Sequence, residues 1–361
     1  MDKKMRVGIV GCGGIARGKH LPAIREQGNI EVAALCDLIE ERAVDYREKY
    51  GWPDAKIFTD YREMLKEDLD AVYVLTPNKA HSTITIDALH AGKNVMCEKP
   101  MAKTADDAKA MLDAAKETGK ILTIGYQNRY RPDSTYLKRS CDNGDLGDIY
   151  VAKAHAIRRR AVPTWGVFLD EEAQGGGPLI DIGTHALDLT LWMMDNYQPE
   201  SVMGSVYKKL GDQTETANAW GDWDPKKYTV EDSAFGFIKM KNGATIMLES
   251  AWALNSLEVD EAKTTLCGTK AGADMKDGLR INSVKYNKQI VEKPELDPAG
   301  VAFYDGKGEN PDVIEQQVFY DAVMNGKDVV VKPEQAFVVT QILEAIYQSA
   351  RTGKPVYFDE K

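Results

Sequence analysis

A short apolar run that ends in a cluster of glycines constrains this chain more than any other stretch. Residues 6–16 read RVGIVGCGGIA, a pattern typical of a strand, a tight turn and then a helix. Gly11 and Gly13 allow the turn and let a backbone approach a pyrophosphate, and Ala16 is small enough for the point where helix meets strand. The helix would aim its first N–H groups at the phosphates. An ordinary strand-to-helix turn is the alternative for the glycines taken alone.

A second apolar run, residues 30–36, supports the dinucleotide interpretation. It ends at Asp37, about twenty residues past the glycines, where an acid is expected to accept hydrogen bonds from ribose hydroxyls. A carboxylate there repels a 2′-phosphate, and residues 38–39 offer no arginine to bind one, so the pattern favours NAD over NADP. Asp37 could also cap a helix predicted over 39–50, which is compatible with ribose binding.

Length and composition are those of an ordinary globular protein. The chain has 361 residues, 43% of them hydrophobic, and no apolar run reaches the roughly eighteen residues that a membrane span needs. A net charge of −10 disfavours nucleic acid as the main ligand, because that partner needs a basic face. We therefore expect no membrane and no nucleic-acid partner. We also expect a cytoplasmic location, because no export signal precedes the first strand and the five cysteines lack CxxC spacing.

Strands and helices alternate through residues 1–127, which predicts a doubly wound parallel sheet of the Rossmann α/β type. One buried strand stops at Thr76, Pro77 and Asn78. Ligands of open parallel sheets lie beyond the carboxyl ends of the strands, so these residues should face the cofactor.

The pattern changes in the second part of the chain, residues 128–361. Residues 230–240 and 244–250 flank Asn242-Gly243, a strong hairpin signal, so this part is predicted to be an α+β domain that contains antiparallel sheet. Apolar residues at helical spacing predict a last helix over 335–351 that packs one face against the body of the protein.

A second glycine cluster begins the stretch 175–188, GGGPLIDIGTHALD. Asp181 and His185 are four residues apart, which places both on one face of a predicted helix. A carboxylate beside an imidazole is a general-base pair, because the acid orients the ring and stabilises its protonated form. A structural histidine with an N-capping aspartate is the alternative. A metal site would need a third ligand at a suitable spacing, so we expect no metal.

A further strand ends in Glu98-Lys99-Pro100. A lysine at that edge can hydrogen-bond a substrate hydroxyl and stabilise the developing alkoxide, and Glu98 could contact the nicotinamide ribose. The bond before Pro100 is a candidate for the cis form. A solvated strand end is the alternative for Glu98 and Lys99.

The motifs together resemble the Gfo/Idh/MocA family of NAD(P)-dependent oxidoreductases. They are VGIVGCGGIA at 7–16, Asp37, TPN at 76–78 with His81, EKP at 98–100 and the stretch 175–188. The resemblance implies a Rossmann domain followed by an α+β domain whose open, largely antiparallel sheet mediates homo-oligomerisation, giving a dimer or tetramer. It also implies NAD as the cofactor and a small carbohydrate or polyol as the substrate.

The resemblance assigns roles to individual residues. His185 becomes the proton acceptor, Lys99 polarises the reacting hydroxyl, and Asp181 binds substrate and orients the histidine. The substrate residues implied are Tyr126, Arg158 and Trp165; an ion-paired strand end is the alternative for Arg158. The cofactor-binding residues predicted are Gly11, Gly13, Gly14, Ile15, Asp37, Thr76, Asn78, His81, Glu98, Lys99 and Asn128.

Three functions compete at this point. The first is an NAD-dependent dehydrogenase that oxidises a secondary hydroxyl, such as C3, of a sugar, polyol or glycoside. The second is a redox-assisted glycoside-cleaving or epimerising enzyme that recycles its NAD. The third is a sugar-sensing regulator without catalysis, against which the presence of Lys99, Asp181 and His185 argues.

Overall fold

The structure is a computed structural model that describes residues 4–296 and 310–358. It divides into two units: the described parts of Met1–Tyr130 with Glu309–Phe337, called unit 1, and of Arg131–Gly308 with Val338–Lys361, called unit 2. None of the described residues belongs to a helix long and apolar enough to cross a bilayer. The predicted assignment of cofactor binding to 1–127 and substrate binding to 128–361 stays a prediction.

Strands alternate with helices in the first part of the chain, and strands predominate in the second. The strands are β1 (Met5–Val10), β2 (Ile30–Cys36), β3 (Lys56–Phe58), β4 (Ala71–Val74), β5 (Asn94–Cys97), β6 (Leu122–Ile124), β7 (Ile149–Ile157), β8 (Pro199–Tyr207), β9 (Ser233–Met240), β10 (Thr245–Ala251), β11 (Asp260–Gly268), β12 (Ala271–Asp274), β13 (Arg280–Lys285), β14 (Lys288–Glu292) and β15 (Val356–Tyr357). The α-helices are α1 (Leu21–Gln27), α2 (Glu40–Tyr50), α3 (Tyr61–Met64), α4 (His81–His90), α5 (Ala105–Thr118), α6 (Pro132–Asp142), α7 (Glu171–Gln174), α8 (Thr184–Met194), α9 (Pro311–Asn325) and α10 (Pro333–Thr352). Single π-helical turns occupy Ala16–His20 and Leu179–Gly183, and 3₁₀ turns occupy Asn78–Ala80 and Gln127–Tyr130.

Unit 1 is built on a parallel sheet whose described strands run in the order β3-β2-β1-β4-β5-β6. This is the strand order of a doubly wound dinucleotide-binding fold, and the order reverses between β1 and β4. The strands are almost continuously apolar, because both faces of such a sheet are covered. The predicted Rossmann α/β architecture is therefore confirmed.

A late segment of the chain completes unit 1. Helix α9 packs Phe319 edge-on against Tyr73 of β4, with ring centroids 5.5 Å apart, inside the core. The hydroxyl of Thr123 donates to the carbonyl of Val331 at 2.9 Å. These contacts bring residues from the end of the chain to the sheet made by its beginning.

Unit 2 is built on an open mixed sheet, in the order β14-β13-β12-β11-β7-β10-β9-β8-β15 over the residues described. Its neighbours are antiparallel except for β7 and β10, which are parallel. β9 and β10 form the hairpin predicted around Asn242-Gly243, and Gly243 has φ +88°, which favours glycine. The predicted α+β class with a largely antiparallel sheet is confirmed.

One face of this sheet is covered by helices. α8 packs against β7 and β11, and α10, which spans the predicted 335–351, packs Ile346 over β8 and β9. Gly204 and Gly236 make this possible, because a Cβ on Gly204 would lie 2.7 Å from the carbonyl oxygen of Ile346 and a Cβ on Gly236 2.6 Å from its Cδ1. The opposite face carries side chains that point away from these helices.

We predict that Gly204→Ala destabilises the protein by about 1–3 kcal/mol, because the added methyl overpacks α10 against the sheet. The measurement is the free energy of unfolding in urea. Ser205→Ala is the matched control, because Ser205 is exposed on the other face of the same strand. Equal stability of the two variants would contradict the packing argument.

Candidate active site

The glycine-rich loop after β1 combines one glycine required by the fold with two that face open space. Gly11 has φ +100°, and a Cβ there would lie 2.6 Å from the carbonyl oxygen of Leu75, so only glycine fits. A Cβ on Gly13 or Gly14 would meet no atom of the described chain within 4 Å. The space over these two glycines therefore fits a ligand that approaches the backbone closely, as the pyrophosphate of NAD does.

Asp37 ties the end of β2 to this loop. Its carboxylate accepts the backbone N–H of Cys12 at 2.8 Å and that of Ile39 at 2.9 Å. The position that caps α2 is Ile39, so the helix-capping alternative for Asp37 is not realised. The sequence argument noted the lack of an arginine at 38–39, but α2 brings the guanidinium of Arg42 to 3.9 Å from the Asp37 carboxylate.

His81 connects two loops at the carboxyl edge of the sheet. One ring nitrogen lies 2.9 Å from the carbonyl oxygen of Thr76 and the other 2.8 Å from that of Pro100. The ring is fully buried, and burial lowers its pKa. His81 therefore joins these two loops, and its predicted contact with the cofactor stays a prediction. The buried hydroxyl of Thr76 has no hydrogen-bond partner in the described structure, which leaves a polar group at this edge.

Glu98 lies in the interior of unit 1. Its Oε1 is 2.9 Å from Nζ of Lys19 and 2.7 Å from Nε2 of His20, and its Oε2 accepts the N–H of Lys99 at 3.0 Å. Only 4% of Glu98 is exposed, so the solvated-strand-end alternative is wrong for it. Lys99 is half-buried, and the bond between it and Pro100 is cis, as predicted. Lys19 and His20, the side-chain partners of Glu98, carry no motif signal of their own, and sequence reasoning missed them.

The remaining residues predicted in unit 1 differ in exposure. Ile15 is exposed, and Asn78 and Asn128 are half-buried at the two 3₁₀ turns. Tyr126, predicted to line a cleft, is only 1% exposed. Its neighbour Arg129 donates to the carbonyl of Val330 and to Oε1 of Gln335, which is a structural role.

Asp181 and His185 follow the second glycine cluster in unit 2. Asp181 lies in the π-helical turn Leu179–Gly183, and His185 lies in the first turn of α8 and is 7% exposed. The carboxylate of Asp181 accepts the indole N–H of Trp252 at 3.0 Å. It caps neither helical segment, so the N-cap alternative is not realised. Trp252 orients the acid and was not identified from the sequence.

A buried acid holds the loop that leads to Asp181. Glu231 accepts the N–H groups of Gly177 at 2.8 Å and Leu179 at 3.1 Å, and the hydroxyl of Tyr347 at 2.8 Å. A side chain on Gly176 would overlap the hydroxyl of Tyr347, and one on Gly177 would overlap the carbonyl of Glu231. These glycines therefore permit close packing around the acid, and Glu231 and Tyr347 were not expected.

Aromatic side chains in unit 2 form a connected wall, which we call the aromatic wall: Trp165, Phe168, Trp220 and Trp252. Trp165 contacts Phe168 and Trp220 edge-on with centroids 6.0 and 5.0 Å apart, and Phe168 contacts Trp252 at 6.3 Å. Trp165 and Trp220 are each about half exposed. The wall therefore presents indole surface to solvent and ends at the tryptophan that binds Asp181.

Arg158 joins this wall. Its guanidinium lies 5.1 Å from the ring centroid of Trp220 and makes a bidentate ion pair with Glu261, with both distances 2.5 Å. Burial would lower the pKa of Arg158, but Glu261 and then Asp181 raise it, so the group stays charged. The ion-paired alternative for Arg158 is thus realised; its predicted contact with substrate is compatible with this pairing and stays a prediction.

No three His, Cys, Asp or Glu side chains within residues 4–296 and 310–358 are grouped so that they could hold a metal ion. The glycine-loop edge of unit 1 offers hydrogen-bonding groups, and the Asp181 region of unit 2 offers charged and aromatic groups.

Family models match both parts of the chain. A model described as "Oxidoreductase family, NAD-binding Rossmann fold" matches residues 5–126, and one described as "Oxidoreductase family, C-terminal alpha/beta domain" matches residues 138–358. Together they cover well over half of the sequence.

Individual relatives are similar over nearly the full length. The chain is 36% identical over 353 residues to D-glucoside 3-dehydrogenase of Escherichia coli (strain K12), with 98% of this chain and 97% of the relative covered. It is 27% identical over 298 residues to 1,5-anhydro-D-fructose reductase of Ensifer adhaerens, with 82% and 84% covered. The solved aldose-aldose oxidoreductase of Caulobacter crescentus, complexed with glycerol, is 25% identical with a TM-score of 0.79, and 99% of this chain and 100% of that chain are covered.

We predict that alanine at Gly13 and at Gly11 has different effects. Gly13→Ala should weaken NADH binding about tenfold or more, because the methyl occupies the open space, while the melting temperature stays unchanged. Gly11→Ala should lower stability by about 1–3 kcal/mol, because its φ is strained for any other residue. The measurements are NADH fluorescence titration and thermal unfolding.

Gly18→Ala is the control for both variants, because Gly18 is exposed and a Cβ there meets nothing within 4 Å. Wild-type affinity for NADH in Gly13→Ala would show that the open space is not where the cofactor binds.

Proposed function

Because this chain belongs to the Gfo/Idh/MocA family of oxidoreductases, we propose that it oxidises a secondary ring hydroxyl of a sugar or glycoside, such as the C3 hydroxyl. Membership rests on the two family models and on the full-length similarity to the glucoside dehydrogenase. The protein is an NAD-dependent oxidoreductase that acts on CH–OH groups. The finer statements, the ring hydroxyl and its position, are the proposal.

The observation that carries the carbohydrate proposal is the aromatic wall beside Asp181 and Arg158. Sugars present both apolar C–H faces and hydroxyl groups, so they are bound by aromatic surfaces next to charged hydrogen-bonding groups. Trp165 and Trp220 supply exposed indole faces, and Asp181, fixed by Trp252, supplies an acceptor for hydroxyl protons. The full-length relative named D-glucoside 3-dehydrogenase supports the glycoside class and the C3 position.

We assign the following chemical roles. His185 accepts the hydroxyl proton, because an imidazole has a basicity suited to neutral pH. The ammonium of Lys99 hydrogen-bonds the same oxygen and stabilises the negative charge that develops on it. Asp181 binds a substrate hydroxyl and orients the histidine. When bound, NAD supplies the hydride acceptor at nicotinamide C4, so the substrate carbon loses a hydride and its oxygen loses a proton.

The cofactor is NAD. The residues that fit it are the open glycines Gly13 and Gly14 and the carboxylate of Asp37 at the edge of the same loop. That carboxylate disfavours a 2′-phosphate. Arg42, beside Asp37, is a cation that would attract a 2′-phosphate, and sequence reasoning did not consider it.

We further propose that the protein is a homo-oligomer that pairs through the uncovered face of the unit 2 sheet. Phe237 pairs in register with Met203 on one side and Met247 on the other, and these three side chains are between about a third and a half exposed. A contiguous apolar row of this kind marks an association surface. A cytoplasmic location is also proposed, because the five cysteines are all free, as expected in a reducing compartment.

We predict that Lys99→Ala and His185→Ala each lower kcat about a hundredfold or more, in line with the usual contribution of a positioned acid or base. The assay is a panel of sugars, polyols and glycosides with NAD and with NADP. Lys116→Ala and His90→Ala are matched controls, because both residues are exposed on helices of unit 1. Near wild-type turnover in either test variant would refute the role of that residue.

The same assay separates the functions. Accumulation of NADH with a ketosugar supports the dehydrogenase. Product formed without net NADH, from enzyme that copurifies with NAD, would instead select the redox-assisted cleaving or epimerising enzyme.

We predict that Phe237→Glu dissociates the oligomer, because it places a charge in the apolar row. Sedimentation velocity measures the change in mass. Lys288→Glu, at the exposed edge strand β14, is the control. A monomeric wild-type protein, or an unchanged mass in Phe237→Glu, would contradict the proposal.

A further inference from the structure

A group of charged side chains is buried in unit 1 beside Lys99, the residue that we propose polarises the substrate hydroxyl. Lys19 lies in the π-helical turn directly after the glycine loop and is 6% exposed. Its ammonium is 2.9 Å from Oε1 of Glu98 and 2.9 Å from Oε2 of Glu315, which α9 contributes. His20, fully buried, contacts Glu98 at 2.7 Å and the side chain of Gln316 at 3.3 Å. We call these five residues the Lys19 network.

A buried ion pair is weak evidence for a role in stability. The removal of charges from water costs several kcal/mol per ion, and apolar replacements of buried ion groups are often neutral or stabilising. The Lys19 network also places two carboxylates beside one ammonium. The physical effect of the Lys19 network is therefore the geometry that it imposes on its neighbours.

The Lys19 network ends at the backbone of Lys99. One oxygen of Glu98 is held by Lys19 and His20, and the other accepts the Lys99 N–H at 3.0 Å. Gly125 lets the carboxylate lie close to its backbone, since a Cβ there would be 3.0 Å from Oε1. With both oxygens hydrogen-bonded, the carboxylate that Lys19 anchors holds the point at which the chain leaves β5.

We propose that Lys19 is a positioning residue for the reaction: held by Glu315, it anchors the Glu98 carboxylate, and that carboxylate fixes the backbone from which Lys99 reaches the substrate. The inference rests on the proposed function because Lys99 is its end point. Lys19 itself need not touch substrate. Glu315 links the last helix of unit 1 to this anchor.

Charge considerations support the geometry. Burial would raise the pKa of Glu98, but Lys19 and His20 overcome it and hold the pKa well below its usual range. Burial would lower the pKa of Lys19, but Glu315 and Glu98 raise it, so the ammonium keeps its proton. Burial raises the pKa of Glu315, and Lys19 and His20 oppose this rise. Lys19 thus lies between two carboxylates, and Glu98 is the one that His20 also contacts.

The pairing predicts how replacement of Lys19 changes the pH dependence. Without the ammonium, burial raises the pKa of Glu98 against the ring of His20 alone, so Glu98 takes up a proton at higher pH than in wild type and then accepts the Lys99 N–H less strongly. The titratable groups around Glu98 are Lys19 and His20 from the turn after the glycine loop, Glu315 from α9, Cys97 and Lys99 from the end of β5, and His81 from α4. Apart from Lys19, the ring of His20 is the one group among these that lies at contact distance from Oε1 of Glu98.

The test is a double-mutant cycle on the full-length protein. Lys19→Met should lower kcat about tenfold at neutral pH and move the acidic limb of the kcat profile to higher pH, with KM values changed less than about threefold. In the Glu98→Gln background, Lys19→Met should have little additional effect, because the charge that it anchors is gone. Lys19→Arg should restore the wild-type limb, and Lys109→Met, at an exposed lysine of α5, is the control.

A second readout does not depend on turnover: hydrogen exchange of the Lys99 amide. It should become about tenfold faster in Lys19→Met, because its acceptor is no longer fixed. If wild type oxidises no sugar but the Lys99 amide exchanges faster in Lys19→Met, the proposed function fails and the link from Lys19 to the Lys99 backbone stands. If wild type is active and Lys19→Met alters neither exchange nor the pH profile, the positioning role is overturned. If Lys19→Met does not fold, Lys19→Gln takes its place in the cycle, and additive effects of Lys19→Gln and Glu98→Gln on the profile overturn the positioning role.

Discussion

The geometry of unit 1 depends on how closely the backbone at the end of β1 approaches the backbone at the end of β4. Leu75 donates its N–H to the carbonyl of Val10 at 2.8 Å, and Gly11 then passes within a distance of Leu75 that no side chain would tolerate. The chain can turn there only with φ +100°. This turn directs Cys12 toward Asp37 and leaves the next two glycines facing open space. One steric constraint therefore sets both the switch point of the sheet and the cofactor loop.

Buried or partly buried carboxylates hold the loops of both units in a similar way. Asp37 accepts the N–H of Cys12, Glu98 that of Lys99, and Glu231 those of the loop before Asp181. Asp232 does the same for the N–H groups of residues 209–211. Loop N–H groups away from water need acceptors, and an ionised acid is the strongest that a side chain offers. Site loops in this protein are thus fixed by acids from other elements.

Sequence reasoning predicted those features of the fold that depend on residues close together in the sequence. The glycine turn, the acid after β2, the hairpin at Asn242-Gly243 and the final helix each depend on a local pattern, and the structure contains them. Asp181 and His185 were placed on one helix, but the first of them lies in a π-helical turn whose period differs from that of an α-helix. Long-range partners could not be predicted in this way, because the contacts of Trp252 with Asp181, 71 positions away, and of Gln316 with His20, 296 positions away, exist only once the sheets have formed. The exposure of Tyr126, 1%, also depends on long-range packing and could not be predicted, and its place in a substrate cleft stays a prediction.

Glu98, which holds the loop of Lys99, and Glu231, which holds the loop before Asp181, differ in how their contributions to stability respond to pH. The pKa of Glu98 is held below its ordinary value, so the acid adds stability above its unfolded pKa and loses that contribution as the pH falls through the folded value. Burial raises the pKa of Glu231, and its contribution is therefore full below the unfolded pKa and lost as the pH rises through the folded one. The difference follows from the partners: Glu98 has an ammonium, whereas Glu231 has two backbone N–H groups and a phenol. The loop of Lys99 is thus held by charge, and the loop of Asp181 by hydrogen bonds and close packing.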